Sequence, residues 1–402
     1  MTPLTPLEDA LGLILADASC LADIEHCALP AALGRVLAED VSAGVPVPYD
    51  DNSAMDGYAL RAADSGKSLH VAQRIAAGRA GEPLAPGTAA RIFTGAPVPP
   101  GADAVAMQEN CELDGDSVRL TQPVEPGENI RRAGQDLASG SVVFTAGRRL
   151  QAEDLGVLAS VGCHDVPVRR RLVVSVLSTG DELVEPGPDA ELAPGQIFNS
   201  NRYTLIGLLS GLGCEVRDGG MVPDDPDATA ERLSVAAAQA DCVITTGGVS
   251  VGEEDHVKAQ VERLGALSLW KLQVKPGKPL AYGRIGETAF FGLPGNPAAV
   301  FVTFSMIVRP WLQRAQGAEV RNPLPLPATA RFQRPRAGKR LEFLRARASV
   351  AEGELVVEVH ENQSSGVLSA VSWANALVVV PPGITVAAGD RVEVLLLDQL
   401  NR

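Results

Sequence analysis

Three glycine-bearing loops follow one another between residues 245 and 297: TTGGVSVGEEDH (245–256), KPGKP (275–279) and GLPGNP (292–297). The first ends the apolar run DCVI, and the third opens the helical pattern AAVFVTFSMIVRPWLQRA. Glycine lets the backbone approach a ligand closely. Loop N–H groups, hydroxyls, lysines and carboxylates in this order suit a phosphate ester and a hard cation. The chain has no GxxxxGK[ST] loop and no GxGxxG after a strand, and Gly211–Leu212–Gly213 reads as a helix end. Taken alone, GGVSVG is equally a structural turn.

The same grammar extends on the N-terminal side. RLVVSVLSTGDEL (171–183) is an apolar strand running into a polar loop. Asn199 and Ser200 are candidate caps for the helix NRYTLIGLLSGLG (201–213). CEVRDGGMVPDD (214–225) is a second strand and loop, and Asp225–Pro226 starts the next helix. DCVITTGG is a third strand, a helix runs through VKAQVERLG, LAYGRIGETAFFGLPGNP supplies further strands, and Asn296–Pro297 caps the last helix. Strand–helix alternation predicts an open, mainly parallel α/β sheet. Ligands bind such sheets at the carboxyl ends of the strands. Those ends are STGDE, VPDD, TTGGVSVG and GLPGN.

Seven carboxylates fall at these ends: Asp181, Glu182, Asp224, Asp225, Glu253, Glu254 and Asp255. An all-oxygen set suits Mg²⁺, although solvated loops and helix caps also favour Asp and Glu. Asp225 reads as a cap. Lys271, Lys275 and Lys278 lie in WKLQVKPGKP. Lys271 and Lys275 share a face if the segment is extended, and can offset an anion's charge; ordinary surface lysines are the alternative. His256 reads as a helix-face residue.

Outside this region, residues 6–19 and about 28–40 look helical. Residues 45–140, rich in Gly and Pro, predict a small β-rich domain containing DNSAMDGYAL (51–60) and RIFTGAPVP (91–99). By pattern alone those two segments are polar turns. NPLPLPATA reads as a linker, and residues 325–402 predict a small barrel or sandwich.

The bulk numbers narrow the field. A chain of 402 residues is too long for one ordinary core. With 35 basic against 49 acidic residues its net charge is −14, which argues against a general nucleic-acid or anionic-membrane partner. Six scattered cysteines without a CxxC pair point to reduced thiols and a cytoplasmic setting. The N-terminal apolar run is interrupted by Glu8, Asp9 and Asp17, so an amphipathic helix is expected there rather than a signal peptide.

Taken together, the motifs resemble the MoeA family, the molybdopterin molybdenumtransferases, to which the gephyrin E domain is related. The matching segments are DNSAMDGYA, RIFTGAPVP, STGDEL, TTGGVSVGEEDHVK, KPGKPLAYG and GLPGNP, in that order, supported by RRAGQDLASGSVVFTAGRRL and NQSSGVLSAVSWANAL. Two departures are Asp50, which separates Tyr49 from DNSAMDG, and Ser364, where glycine is common. The resemblance implies an N-terminal helix (1–23) packed on the α/β domain and a linking domain (24–42 and 141–171). It also implies an inserted β-rich domain (43–140), an α/β molybdopterin-binding domain (172–322) and a C-terminal β-barrel (323–402).

The same resemblance implies a homodimer with its sites in an intersubunit cleft, and transient contact with other molybdenum-cofactor biosynthesis proteins. The implied reaction inserts molybdenum from molybdate into adenylylated molybdopterin, releasing AMP with Mg²⁺. It assigns catalysis to Asp56, Thr94, Glu182, Lys271 and Lys275, and the metal to Glu182, Asp224 and Asp255. Ligand binding falls to Thr179, Gly180, Asp181, Gly247, Gly248, Ser250, Gly252, Pro294, Gly295, Asn296, Arg340 and Ser365. Two alternatives stand beside this: the preceding step, adenylylation of molybdopterin by ATP, and a non-catalytic scaffold of the same fold.

Overall fold

The computed structural model describes residues 4–249 and 256–400. Ser250, Gly252 and Asp255, expected in the site, lie outside the described residues.

The α/β unit forms as the alternation predicts. Its six strands are β1 (Val173–Thr179), β2 (Glu215–Val222), β3 (Cys242–Thr246), β4 (Gly265–Lys271), β5 (Pro279–Ile285) and β6 (Thr288–Leu293), in spatial order 2-1-3-6-5-4. The 2-1, 1-3 and 3-6 pairings are parallel and the last two antiparallel, so the sheet is mainly parallel. The central runs VVSVLST and CVITT are almost wholly buried, as expected of strands covered on both faces. One face packs Val174, Val176, Ile244 and Phe291 against Leu205, Leu209, Phe301 and Trp311. The other packs Leu177, Val243 and Phe290 against Leu233, Val257 and Val261. Each such side chain, fully buried, contributes roughly 1.5–3 kcal/mol.

The helix starts have identifiable caps. α1 (Ser200–Gly211) is capped by Asn199, whose side chain accepts from the Arg202 amide at 3.4 Å. α2 (Pro226–Gln239) is capped by Asp225, which accepts from the amides of Asp227 and Ala228 at 3.0 and 2.8 Å. α3 is His256–Leu264, with His256 at its first position. The expected long helix after GLPGNP spans α4 (Pro297–Thr303) and α5 (Arg309–Ala315), joined by a π-type turn over Phe304–Val308. Pro310 has no N–H for the preceding turn and crowds its carbonyl, which the wider turn accommodates. The freed Ser305 carbonyl accepts instead from Arg309 Nε at 3.2 Å.

The N-terminal segment Leu7–Asp17 is helical and buries Ala10 and Ile14 in the α/β core. Its end is tied down by Tyr282 and Arg284, which both donate to Asp17. The expectation of a helix at 28–40 is overturned. Ile24–Ala28 is a strand paired antiparallel with Asp165–Arg169, followed by a short 3₁₀ turn at Leu29–Ala31. Pro30 and Gly34, the latter at φ +73°, prevent a helix from continuing through the apolar positions.

The inserted β-rich unit is a six-stranded sheet in which Gly57–Leu60 lies between Thr88–Ile92 and Ala104–Met107. Towards the C-terminus, Leu326–Ala330, Leu341–Ala351, Glu354–Val359, Ala376–Val380 and Arg391–Leu396 close into a five-stranded barrel around Leu344, Val357, Val378 and Val394. A sixth strand, Val274–Lys275, joins its edge parallel to Leu341–Glu342. KPGKP therefore begins on the barrel and returns to the α/β sheet at Pro279. Among the described residues no helix is long and apolar enough to cross a membrane.

Candidate active site

A cleft of about 610 Å³ opens at the carboxyl edge of the sheet. That volume is within the range of small-molecule sites. Three sequence-predicted loops meet there: Thr179 and Glu182 from the end of β1, Gly247 and Gly248 from the end of β3, and Pro294, Gly295 and Asn296 after β6. Gly366, from the barrel, closes one side.

The glycine pair is required by space. Gly247 has φ +84°, and a Cβ there would lie 2.5 Å from the Thr179 carbonyl oxygen. Gly248 has φ +63°, and its Cβ would lie 2.3 Å from Val257 Cγ2 on α3. The loop thus threads between the end of β1 and the start of α3, where side chains do not fit. The Gly247 N–H donates to the Leu293 carbonyl at 3.2 Å, so this residue shapes the cleft while its amide bonds the neighbouring strand.

The start of α4 is also committed. Pro297 has no N–H, and the Ala298 amide donates to the Ser365 carbonyl at 3.0 Å. Asn296 holds the cap position without a side-chain cap bond. Ser365 thus meets the predicted helix end through its backbone, and the contact fixes the barrel loop against the cleft. Asn201 Nδ2 donates to the Gly295 carbonyl at 2.6 Å and secures the same loop from α1.

The carboxylates divide in two. Asp181 and Asp224 exchange bonds, each side chain accepting from the other's amide, at 3.4 and 3.2 Å. This places the ends of β1 and β2 side by side with Gly180 and Glu182 next to them. Glu185 is a structural anchor: it accepts from Asn199 at 2.8 Å and Tyr203 at 3.1 Å, and pairs with Arg202 at 2.7 Å. Burial pushes its carboxyl up, but these bonds, led by Arg202, outweigh burial and hold it below the ordinary range. The network fixes the short paired strands Leu183–Val184 and Ile197–Phe198 at the cleft wall.

The two lysines expected to act in catalysis are separated. Lys271 ends β4 on the α/β sheet, whereas Lys275 is paired with the barrel, and a bend at Gln273 intervenes. They are therefore not neighbours on one extended strand. Lys275 Nζ donates to Glu342 at 3.3 Å. Arg340 Nη1 donates to the Val274 carbonyl at 3.0 Å and helps dock this strand.

Asp56 and Thr94 come together on the inserted unit. Asp56 Oδ1 accepts from both the amide and the hydroxyl of Thr94 at 2.8 Å. Those two bonds, the amide's first, hold the Asp56 carboxyl below its ordinary value. Neither residue lines the cleft of its own chain among the described residues.

Pattern reading missed Asn201, Phe198, Gly366 and Glu342. Asn201 was visible only as part of a helix start. Ile197 and Phe198 are exposed apolar residues on the lining of the cleft, a contrast that needs the fold to be seen.

These features define a class: a multidomain protein whose α/β unit carries a ligand cleft at its sheet edge, completed by a loop of a β-barrel. The description "MoeA N-terminal region (domain I and II)" matches residues 5–162, "Probable molybdopterin binding domain" matches 175–314, and "MoeA C-terminal region (domain IV)" matches 327–397. The molybdopterin molybdenumtransferase of Haemophilus influenzae is 42% identical over 378 residues, covering 92% of this chain and 93% of that one. The molybdopterin molybdenumtransferase of Bacillus subtilis is 34% identical, over 94% and 91%. The crystal structure of the molybdopterin biosynthesis MoeA protein of Pyrococcus horikoshii superposes with a TM-score of 0.86 at 31% identity, covering 98% of this chain and 100% of that one. The chain belongs to the MoeA family, the molybdopterin molybdenumtransferases of molybdenum-cofactor biosynthesis.

Proposed function

We propose that this enzyme inserts molybdenum from molybdate into adenylylated molybdopterin and releases AMP in a Mg²⁺-dependent step. The observation that carries this reading is the convergence of STGDEL, TTGGV and GLPGNP on one cleft of ligand size, in a chain of this family. The loop that runs through Gly248 to Ser250 and Gly252 holds the pterin-side phosphate. Asn201 and Ser365 keep the opposite loops in place around it. Lys275 offsets the charge of phosphate or molybdate at the barrel side, and Lys271 assists from the sheet.

Oxygen donors fit Mg²⁺, which takes one or two carboxylates and leaves its other positions to water and substrate phosphate. The side-by-side ends of β1 and β2, joined through Asp181 and Asp224, offer such a set. Glu182, Asp224 and Asp255 would hold the ion, which supplies Lewis-acid polarisation of the pyrophosphate. The dithiolene sulfurs that receive molybdenum belong to the substrate.

Asp56 and Thr94 act on the cleft of a second copy, making the functional unit a homodimer. The exposure of Met55 (39%), next to Asp56 in the chain, supports a partner-facing tip. In this arrangement Asp56 accepts hydrogen bonds from water or substrate at the cleft mouth, pre-set by Thr94. Full-length protein given adenylylated molybdopterin, molybdate and Mg²⁺ releases AMP, whereas ATP with molybdopterin yields no adenylate. The reverse pattern would move the protein to the preceding step of the pathway.

A further inference from the structure

Glu342 is the second residue of the barrel strand Leu341–Ala351 and is 3% exposed. Arg334 grips it with a fork, Nε to Oε2 at 3.0 Å and Nη2 to Oε1 at 2.7 Å. Lys275 reaches the same Oε1 from the KPGKP loop, at 3.3 Å. The three side chains border a cavity of about 290 Å³ together with Arg345 and Gln363. That is ample room for a small tetrahedral anion with part of its hydration.

The cavity carries more positive than negative charge. Arg345 is 1% exposed, and its Nη atoms donate to the carbonyls of Phe343 and Ser364 at 3.2 Å. Its Nε has no partner among the described residues. Lys275, Arg334 and Arg345 thus stand against the buried Glu342, with Glu361 also on the lining. Burial pushes the Glu342 carboxyl up, but Arg334's hydrogen bonds and the Lys275 charge outweigh it, so the group stays ionised at neutral pH.

The two cations hold Glu342 differently. Arg334 is a rigid bidentate fork at normal charge-assisted distance. Lys275 is a point charge on a flexible stem, at a longer distance, with a side chain 45% exposed against 4% for Glu342. The ammonium can therefore leave while Glu342 remains satisfied by Arg334. We propose that Glu342 is an internal counter-ion that competes with an incoming oxyanion for Lys275, and so sets how tightly the enzyme takes that substrate. This rests on the reading of Lys275 as an anion-holding residue. Glu342 acts through Lys275 and is a positioning residue.

The test uses the full chain, with AMP release followed at varied molybdate and saturating adenylylated molybdopterin. Glu342→Gln removes the charge and keeps the shape. Its KM for molybdate falls about tenfold, because one buried negative charge near the anion is gone, while kcat is unchanged or lower. Glu342→Asp is the second variant, which serves if Glu342→Gln does not fold: it keeps Arg334's partner and draws the carboxylate away from Lys275, and its KM falls by less. A merely structural role lowers stability or kcat without tightening molybdate. Lys275→Ala raises KM. If Lys275→Ala raises KM but neither Glu342 variant lowers it, the counter-ion role is wrong. If Lys275→Ala leaves KM unmoved, the reading of Lys275 fails and the counter-ion role falls with it.

Discussion

Gly247→Ala tests the cleft floor most sharply. The added Cβ would lie 2.5 Å from the Thr179 carbonyl oxygen and 2.9 Å from its hydroxyl. Thr179 ends a central strand and is 6% exposed, so its backbone oxygen cannot swing aside. Holding alanine at φ +84° costs roughly 1–2 kcal/mol, and the overlap adds roughly 1–3 kcal/mol. If the loop stays in place, the α/β unit loses about 2–5 kcal/mol. If it yields, it must move roughly 1 Å to restore van der Waals contact, and a displacement of that size at a site costs on the order of 10²-fold in rate. The assay pairs chemical denaturation with molybdate-dependent AMP release. Gly207→Ala is the control: this glycine is within α1 with nothing within 4 Å of a new Cβ, so the change stabilises by roughly 0.5–1 kcal/mol. A Gly247→Ala protein with both the denaturation midpoint and the turnover of wild type would refute the close-packing argument.

Other substitutions separate folding from chemistry. Asp225→Ala removes two cap bonds to α2 and costs about 1 kcal/mol by denaturation, with the KM for molybdate unchanged; a large KM change would mean that Asp225 does more than cap. Asn201→Ala frees the Gly295 loop and raises the KM for adenylylated molybdopterin by roughly fivefold, the worth of about one hydrogen bond. Asp56→Ala abolishes AMP release coupled to cofactor formation in a protein that still sediments as a folded dimer; undiminished turnover removes Asp56 from the mechanism. Asp154 predicts an acid limb in stability. Burial pushes its carboxyl up, but bonds from Arg148 at 2.7 and 3.0 Å and from the Gln151 amide at 2.9 Å bring it below the ordinary value. A depressed folded-state carboxyl gives stability that is present above about pH 4 and lost as pH falls further. Asp154→Asn therefore flattens that part of the pH–stability curve, and an unchanged limb would contradict the assignment.

The α/β unit was legible because its strands are continuous apolar runs and its helices carry local stop and start signals. Asn199, Asp225 and Pro226 each act within a few residues of their own position, so the sequence around them suffices. Residues 28–40 misled for the complementary reason. Their apolar spacing looks helical, but Pro30 and Gly34 break it, and Leu37 and Ala38 pair instead with Val168 and Pro167, more than a hundred residues away. Local breakers and long-range pairing together overrode the apolar spacing there. The lysines show the same limit. Whether Lys271 and Lys275 share a face depends on which sheet each joins, and the barrel edge that takes Val274–Lys275 is formed by Leu341–Glu342. The committed amides of Gly247 and Ala298 were likewise beyond a motif, since a motif shows that N–H groups are present and not which carbonyl already holds them.

On the proposed function, the cleft between β1, β3 and the Gly295 loop receives the phosphate ester. A crystal structure of the full chain with adenylylated molybdopterin tests it directly. The expected result is the pterin-side phosphate within hydrogen-bond distance of the loop that begins at Gly248, in a cleft that Asn201 and Ser365 still hold in shape. A fully occupied ligand bound elsewhere on the molecule, with this cleft empty, would contradict it.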